Sequence, residues 1–232
     1  MAFFLRMNLN LNPVLLRSFR RLERKIPKGL LYLVGGVVRD SLLGRPTLDL
    51  DVATPLPPEE VHAAFPRALY FPRYGTSSFR DEDGVEVTVA SFRTEKSYAD
   101  YRHPQEVTFV RSLEKDARRR DFTVNDLYAE TSLLVLDPSR MGLSDLENRI
   151  LRAVGDPQVR FQEDPLRLLR AYRFSAELGL RMEEKTKEAY LRNLPLVRLL
   201  NPQKIREEVH KAPETCRQGM IEELHLSFAF EN

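Results

Sequence analysis

Residues 48–52 read Leu-Asp-Leu-Asp-Val, and this short alternation restricts the fold more than any other stretch of the chain. Side chains alternate across a β-strand. Period-two spacing therefore puts Asp49 and Asp51 on one face, about 6.6–6.8 Å apart, and turns Leu48, Leu50 and Val52 into a core. Two carboxylates on an otherwise apolar strand are costly unless water or a cation neutralises them. A second alternating run, Val85 to Ala90, carries Glu86 on the face opposite Val85, Val87 and Val89. If that strand lies beside the first, Glu86 joins the same acid cluster. The residues leave two readings open: a solvated sheet face, or a site for hard cations. Magnesium suits the second, because it prefers carboxylate oxygens and retained waters. Three carboxylates can hold two metals about 3.5–4 Å apart, one acidifying an attacking hydroxyl and the other stabilising a triphosphate leaving group.

The rest of the chain arranges itself around these strands. Pro13 to Arg24 has helical, amphipathic spacing, and Leu30 to Val34 is a short strand run. Gly35-Gly36 breaks that run, and Val37 to Leu43 resumes as a helix closed by Gly44. A strand, a glycine pair and a helix in that order can aim backbone N–H groups at an anion. Arg39 follows within reach of a phosphate; a plain tight turn is the alternative. Neither a dinucleotide fingerprint nor a P-loop has this spacing. A further helix starts at Glu59 after Pro57-Pro58, Tyr98 to Pro104 reads as a mobile loop, and Val107 to Val110 and Leu133 to Leu136 read as strands. From Leu146 onward the chain is rich in Arg, Glu and Leu at helical spacing, with no strand expected. The order is thus α+β first and all helix afterwards. It predicts a domain over residues 1–150, a helical domain over 151–211, and an unassigned segment over 212–232.

Two basic features remain. Arg118, Arg119 and Arg120 precede Asp121, with Asn125 beyond them; such a run is either a solvated face or a phosphate neutraliser, and Asn125 could bond a ribose hydroxyl. Asp164 and Pro165 have the chemistry of an N-cap and first helical residue. The helix they start bears Arg167, Arg170 and Arg173, three cations that need acidic partners.

Composition excludes several classes. With 42% apolar and 30% charged residues and a net charge of +2, the chain has material for a core but no bulk charge that announces nucleic acid. A lone cysteine, Cys216, rules out a disulfide framework and fits a reducing cytoplasm. No apolar run approaches the roughly 18–20 residues that span a bilayer. Met1 to Leu11 is expected to be a docked or poorly ordered N-terminus, not a signal peptide.

Taken in order, these elements resemble the class II tRNA nucleotidyltransferase and bacterial poly(A) polymerase family. The matching motifs are LVGGVVRDSLLGRPTLDLD (33–51), RRDFTVND (119–126), DPSRMGLSDLENRILRAVGDP (137–157) and RFQEDPLRLLRAYRF (160–174), with KIREEV (204–209) as a weaker fifth. The resemblance spans about residues 30–211. It implies a polymerase-β-like head with a mixed sheet, a helical neck, and a two-magnesium mechanism that adds CMP and AMP from CTP and ATP to the tRNA 3′ end. It also implies roles. Asp49, Asp51 and Glu86 would be catalytic metal ligands. Gly35, Gly36 and Arg39 would face the triphosphate, and Arg120, Asp121 and Asn125 the sugar and phosphates. Asp164 and Arg167, with Arg170 beside them, would read the base edge. The partners implied are tRNA, ATP and CTP, with no membrane and no protein partner, in the cytoplasm.

Two departures stand out. Asp126 replaces the alanine usual after the motif asparagine, an acid that either alters nucleotide affinity or points away. The family's C-terminal body and tail are expected to be missing, which leaves open a shortened enzyme or a fragment that binds nucleotide without productive tRNA binding. A poly(A) polymerase sharing the motifs is the other enzyme reading. The segment RTEKSYADYRHP (93–104) looks intact, which by resemblance implies the A-capable branch of the family, either complete CCA addition or terminal A addition, and His103 within it is expected to be an exposed loop residue.

Overall fold

A computed structural model describes residues 8–98 and 104–230, which divide into two compact units. The first takes the described residues up to Glu95 together with Val107–Arg120 and Val124–Leu143. The second takes those of Lys96–Glu106, Asp121–Thr123 and the chain from Ser144 onward.

In the first unit, helix α1 (Pro13–Glu23) starts where the Asn12 side chain accepts the Val14 N–H at 2.8 Å and Pro13 supplies a preset φ. It buries Leu15, Phe19 and Leu22, as its spacing predicts. Strand β1 (Tyr32–Val34) leads through Gly35 into α2 (Gly36–Leu42), and β2 (Asp49–Thr54) returns antiparallel to β1. After α3 (Pro58–Ala64) come β3 (Leu69–Phe71), β4 (Thr76–Arg80) and β5 (Glu86–Ser91). The pair β6 (Arg93–Tyr98) and β7 (Pro104–Phe109), whose residues are divided between the first and second units, forms a separate two-stranded sheet. Helix α4 (Leu113–Ala117), capped by Ser112, precedes β8 (Tyr128–Ala129) and β9 (Val135–Leu136). The main sheet runs β3-β4-β5-β2-β1-β8-β9 and is mixed, because β2 and β5 are parallel while their neighbours are antiparallel. Leu50, Val52, Val87 and Val89 fill its core.

The second unit is built on helices: α5 (Gly142–Glu147) enters it, then α6 (Pro157–Glu163), α7 (Leu166–Leu178), α8 (Glu184–Asn193), α9 (Pro202–Lys211) and α10 (Glu214–Glu223). Helix α7 is central; it packs on α6, α9 and α10 and buries Leu168, Leu169 and Ala171 completely. No helix among the described residues is long and apolar enough to cross a membrane.

Several expectations need correction. Leu48 is not a core residue: it precedes β2 and is 68% exposed, since the inward alternation begins only where the strand is paired. Strand persists beyond residue 145, as β10 (Ile150–Leu151) runs parallel to β11 (Arg181–Met182). Two residues per strand are too few for a period-two pattern to appear in sequence. The unassigned tail holds α10 and a 3-10 turn, Ser227–Ala229. Finally, Tyr98 and Pro104, the ends of the expected loop, are strand residues, the last of β6 and the first of β7. Residues 99–103, His103 included, lie outside the described residues.

Candidate functional site

The parallel pairing of β2 with β5 fixes the acid cluster. Asp49 is the register partner of Glu86, and Asp51 of Thr88. Register partners leave a sheet on the same face, so Asp49, Asp51 and Glu86 share one. All three are exposed, while Leu50 and Val87 between them are buried at 0% and 1%. Glu86 is also the register partner of Arg80 on β4, and the two side chains form an ion pair. Both ends of that pair are exposed, so it contributes little and exchanges readily. Among the described residues no three acidic, histidine or cysteine side chains already converge as a metal cluster. The donor set nevertheless suits a hard divalent cation: it offers oxygen only, three carboxylates on one exposed sheet face, with Glu86 able to swap Arg80 for a metal.

The glycine turn gathers a second group in the same unit. Gly35 has φ 72° and ψ −128°, a backbone conformation that a side chain would strain, and its N–H donates to Leu127 O at 3.1 Å. A Cβ at Gly35 would lie 3.8 Å from both Arg120 Nη1 and Asn125 O, and one at Gly36 would lie 3.7 Å from Arg39 Nη2. Gly35, Gly36, Arg39, Arg120 and Asn125 are therefore neighbours. Arg39, however, is buried and engaged: Nε and Nη2 hold Asp40 at 2.9 and 2.8 Å, and Nη1 donates to Asn125 Oδ1 at 2.5 Å. In this state the Asn125 oxygen is occupied by Arg39.

Arg120 is anchored by two residues that sequence reading did not single out. Its Nε donates to the Tyr128 hydroxyl at 2.9 Å and its Nη2 to Asp116 Oδ2 at 3.1 Å. The Tyr128 hydroxyl donates in turn to Asp116 Oδ2 at 2.7 Å. Asp116, fully buried, also accepts the Arg93 N–H at 3.0 Å and Arg119 Nε at 2.9 Å. Burial works to raise the Asp116 carboxyl, but Arg119 and Arg120, then the Tyr128 hydroxyl and the Arg93 N–H, outweigh it and hold the acid well below the usual carboxylate range. Burial would lower Arg120, yet Tyr128, Asp116 and Asp126 keep its guanidinium charged. Asp126 does not point away into water: it is 1% exposed and adds negative charge beside Arg120. The basic run at 118–120 is thus not a uniform solvated face. Its only sequence clue was the acid four residues ahead of Arg120, which an ordinary charged helix turn also explains.

The second unit holds the other site candidates. Segment 121–123 pairs with 152–154, the Thr123 N–H reaching Arg152 O at 2.9 Å and the Val154 N–H reaching Asp121 O at 3.0 Å. That pairing carries Asp121 to α7, where Oδ2 accepts Arg170 Nε at 2.7 Å. Asp164 Oδ1 accepts the Leu166 N–H at 3.0 Å, which caps α7. The regular helix begins one residue later than the sequence suggests, but Pro165 already has helical dihedrals, so the capping chemistry is as expected. Arg167 is buried and donates to Glu163 Oε2 and to Arg160 O, both at 3.0 Å. Arg173 meets Glu208 at 2.7 Å and Glu177 at 3.1 Å. Each arginine of α7 thus has the acidic partner its spacing demanded, and Glu208, from the KIREEV segment, was the partner sequence could not identify.

The family model described as the poly A polymerase head domain matches residues 31–152. A CCA-adding enzyme of Lactobacillus helveticus is 44% identical over 181 residues, covering 78% of this chain and 45% of that protein. One of Geobacillus stearothermophilus is 42% identical over 181 residues, covering 78% and 44%. Among solved structures, that of the Bacillus stearothermophilus CCA-adding enzyme in complex with CTP superposes with a TM-score of 0.76 at 35% identity, covering 92% of this chain and 53% of the other. The chain spans about half the length of the relatives it matches.

Proposed function

This chain belongs to the poly(A) polymerase head-domain family of nucleotidyltransferases, and from that premise we propose that it supplies the catalytic head and nucleotide-selecting neck of an enzyme that adds CMP and AMP to the tRNA 3′ end. The observation that carries this reading is the shared face of Asp49, Asp51 and Glu86, fixed by the register of β2 and β5. Similarity to CCA-adding enzymes, one of them solved with CTP, supports the choice of substrates.

In this reading the RNA 3′ hydroxyl oxygen bonds to the α-phosphorus of CTP or ATP, and pyrophosphate leaves. Asp49, Asp51 and Glu86 would hold magnesium, which when bound acidifies the hydroxyl and neutralises the triphosphate. The rest of the work is positioning by the protein's own groups. Gly35 and Gly36 let the backbone approach the triphosphate. Arg120 offers it a fixed donor, and Arg39 orients Asn125 toward the sugar. In the neck, Asp121 orients Arg170, while Asp164 and Arg167 present an acceptor and a fork of donors to the Watson–Crick edge. Residues 1–150 would act as the head and 151–211 as the neck, working in the cytoplasm, where Cys216 stays reduced. The 93–104 sequence segment supports an A-capable enzyme, by either complete CCA addition or terminal A addition.

The decisive assay incubates the chain with magnesium, labelled CTP or ATP, and tRNAs ending before the first C, after CC, or complete. Incorporation is expected, with ATP accepted on the CC end; CTP-only incorporation would remove the A-adding assignment. Nucleotide binding without incorporation would mean that this chain holds nucleotide but not tRNA productively. Long ATP-only extension of generic RNA would favour poly(A) synthesis. An Arg167→Ala variant should lose discrimination against UTP while keeping its fold; unchanged selectivity would contradict its reading role.

A further inference from the structure

Asp116 and Tyr128 lie outside every motif residue assigned above, yet both grip Arg120. An arginine fork is planar, so fixing two of its three nitrogens fixes the direction of the third. Tyr128 holds Nε and Asp116 holds Nη2, at 2.9 and 3.1 Å. The remaining arm, Nη1, is the one beside Gly35, 3.8 Å from the position a Cβ would take there. The fold sets up this placement: Tyr128 is the register partner of Val34, the residue immediately before the turn, and the Gly35 N–H is tied to Leu127 O. Tyr128 is fully buried in a cluster with Val34, Ala53, Phe92 and Ala117, with Phe92 packed edge-on, so its hydroxyl has little freedom. Arg120 also stacks over the Tyr128 ring at 4.9 Å, a second constraint on its plane.

We propose that Asp116 and Tyr128 are positioning residues that hold two arms of the Arg120 guanidinium so that the third is presented at the glycine turn as a prealigned donor for the phosphates of a nucleoside triphosphate. The inference rests on the nucleotidyltransferase reading. Its physical basis is preorganisation: a donor already oriented loses less freedom on binding and needs no rearrangement as charge develops. The same Asp116 carboxylate binds the Arg93 N–H at the start of β6 and Arg119, which reaches Glu95 on that strand at 3.5 Å. Asp116 therefore joins the start of β6 to the proposed phosphate donor.

The test compares affinities for ATP, AMP and adenosine by calorimetry in the wild-type chain and in Tyr128→Phe, which keeps the ring and removes the hydroxyl. ATP should weaken by about tenfold, the scale of one hydrogen bond to a charged group, with AMP and adenosine nearly unchanged. In an Arg120→Met background, Tyr128→Phe should have no further effect on ATP. A second measurement needs no variant to fold: the Arg120 Nε–H of the unliganded wild type should exchange slowly by NMR and stay unshifted when ATP binds. Equal loss for all three ligands, no loss for ATP, or a rapidly exchanging Arg120 Nε–H would overturn the positioning role. A wild-type chain that binds neither ATP nor CTP would instead sink the nucleotidyltransferase reading itself.

Discussion

Asp49 and Glu86 face each other across parallel strands as register partners, with Asp51 one pleat further along the same face. None of the three supports the core, which lies on the other side through Leu50, Val52, Val87 and Val89. Replacing Asp51 by Asn should therefore weaken Mn2+ binding, followed by electron paramagnetic resonance, by about tenfold or more. Stability should move by no more than about 0.5 kcal/mol, the ordinary range for exposed positions. An unchanged Mn2+ affinity would exclude Asp51 from the proposed metal site.

Gly75 closes the turn between β3 and β4 at φ 59°, and a Cβ there would collide with the Phe109 ring and meet Pro58 at 3.0 Å. Backbone strain and overpacking act together, so Gly75→Ala should destabilise by about 1–3 kcal/mol in urea unfolding. Gly29→Ala, whose Cβ meets nothing within 4 Å, provides the comparison and should lose less.

Glu208 is 1% exposed and holds Arg173 across α9 and α7 at 2.7 Å. Removing Glu208 leaves Arg173 only its second, partly exposed partner Glu177 at 3.1 Å, so Glu208→Ala should cost about 1–3 kcal/mol, less than a fully stranded buried charge. Joint replacement of both by apolar residues of similar volume should recover much of that loss. Chemical denaturation of the single and double variants measures the difference.

The depressed carboxyl of Asp116 makes stability depend on acid. Its native pKa lies below that of the unfolded chain, so its contribution is complete above the ordinary aspartate value of about 3.9 and is lost as pH falls below it toward the native value. Asp116→Asn should lower stability at neutral pH and flatten the acid limb of the melting-temperature profile. An acid limb as steep as that of the wild type would assign the sensitivity to other depressed acids, such as Glu208, which Arg173 and Arg170 hold down against the effect of burial.

Much of this was legible in the sequence because the informative pattern was local. Asp49 and Asp51 are two residues apart, the glycine pair directly follows β1, and the arginines of α7 recur every three residues; spacing alone gives their geometry. What stayed hidden depended on long-range pairing or very short elements. Glu86 became a neighbour of Asp49 only through a register that no residue in either strand announces. Asp116 reads as one acid in a charged turn until Tyr128, twelve residues on, is seen to close over it. The β10–β11 pairing and the edge strand β3 are too short for alternation to betray them, and β3 buries none of its three apolar residues.

The dihedrals of Gly35 have a consequence in terms of handedness. With φ 72° and ψ −128°, its backbone is the mirror image of ordinary extended chain. Every L-amino acid is on the wrong side of that mirror, while a D-residue finds there its own relaxed conformation. In a chain assembled by chemical ligation, D-alanine at position 35 would preserve the path from β1 into α2, whereas L-alanine would force the backbone open beside Arg120. The turn between β1 and α2 is thus selected by chirality rather than by side-chain size, because a methyl group of either hand is small and only one hand is compatible with the bend.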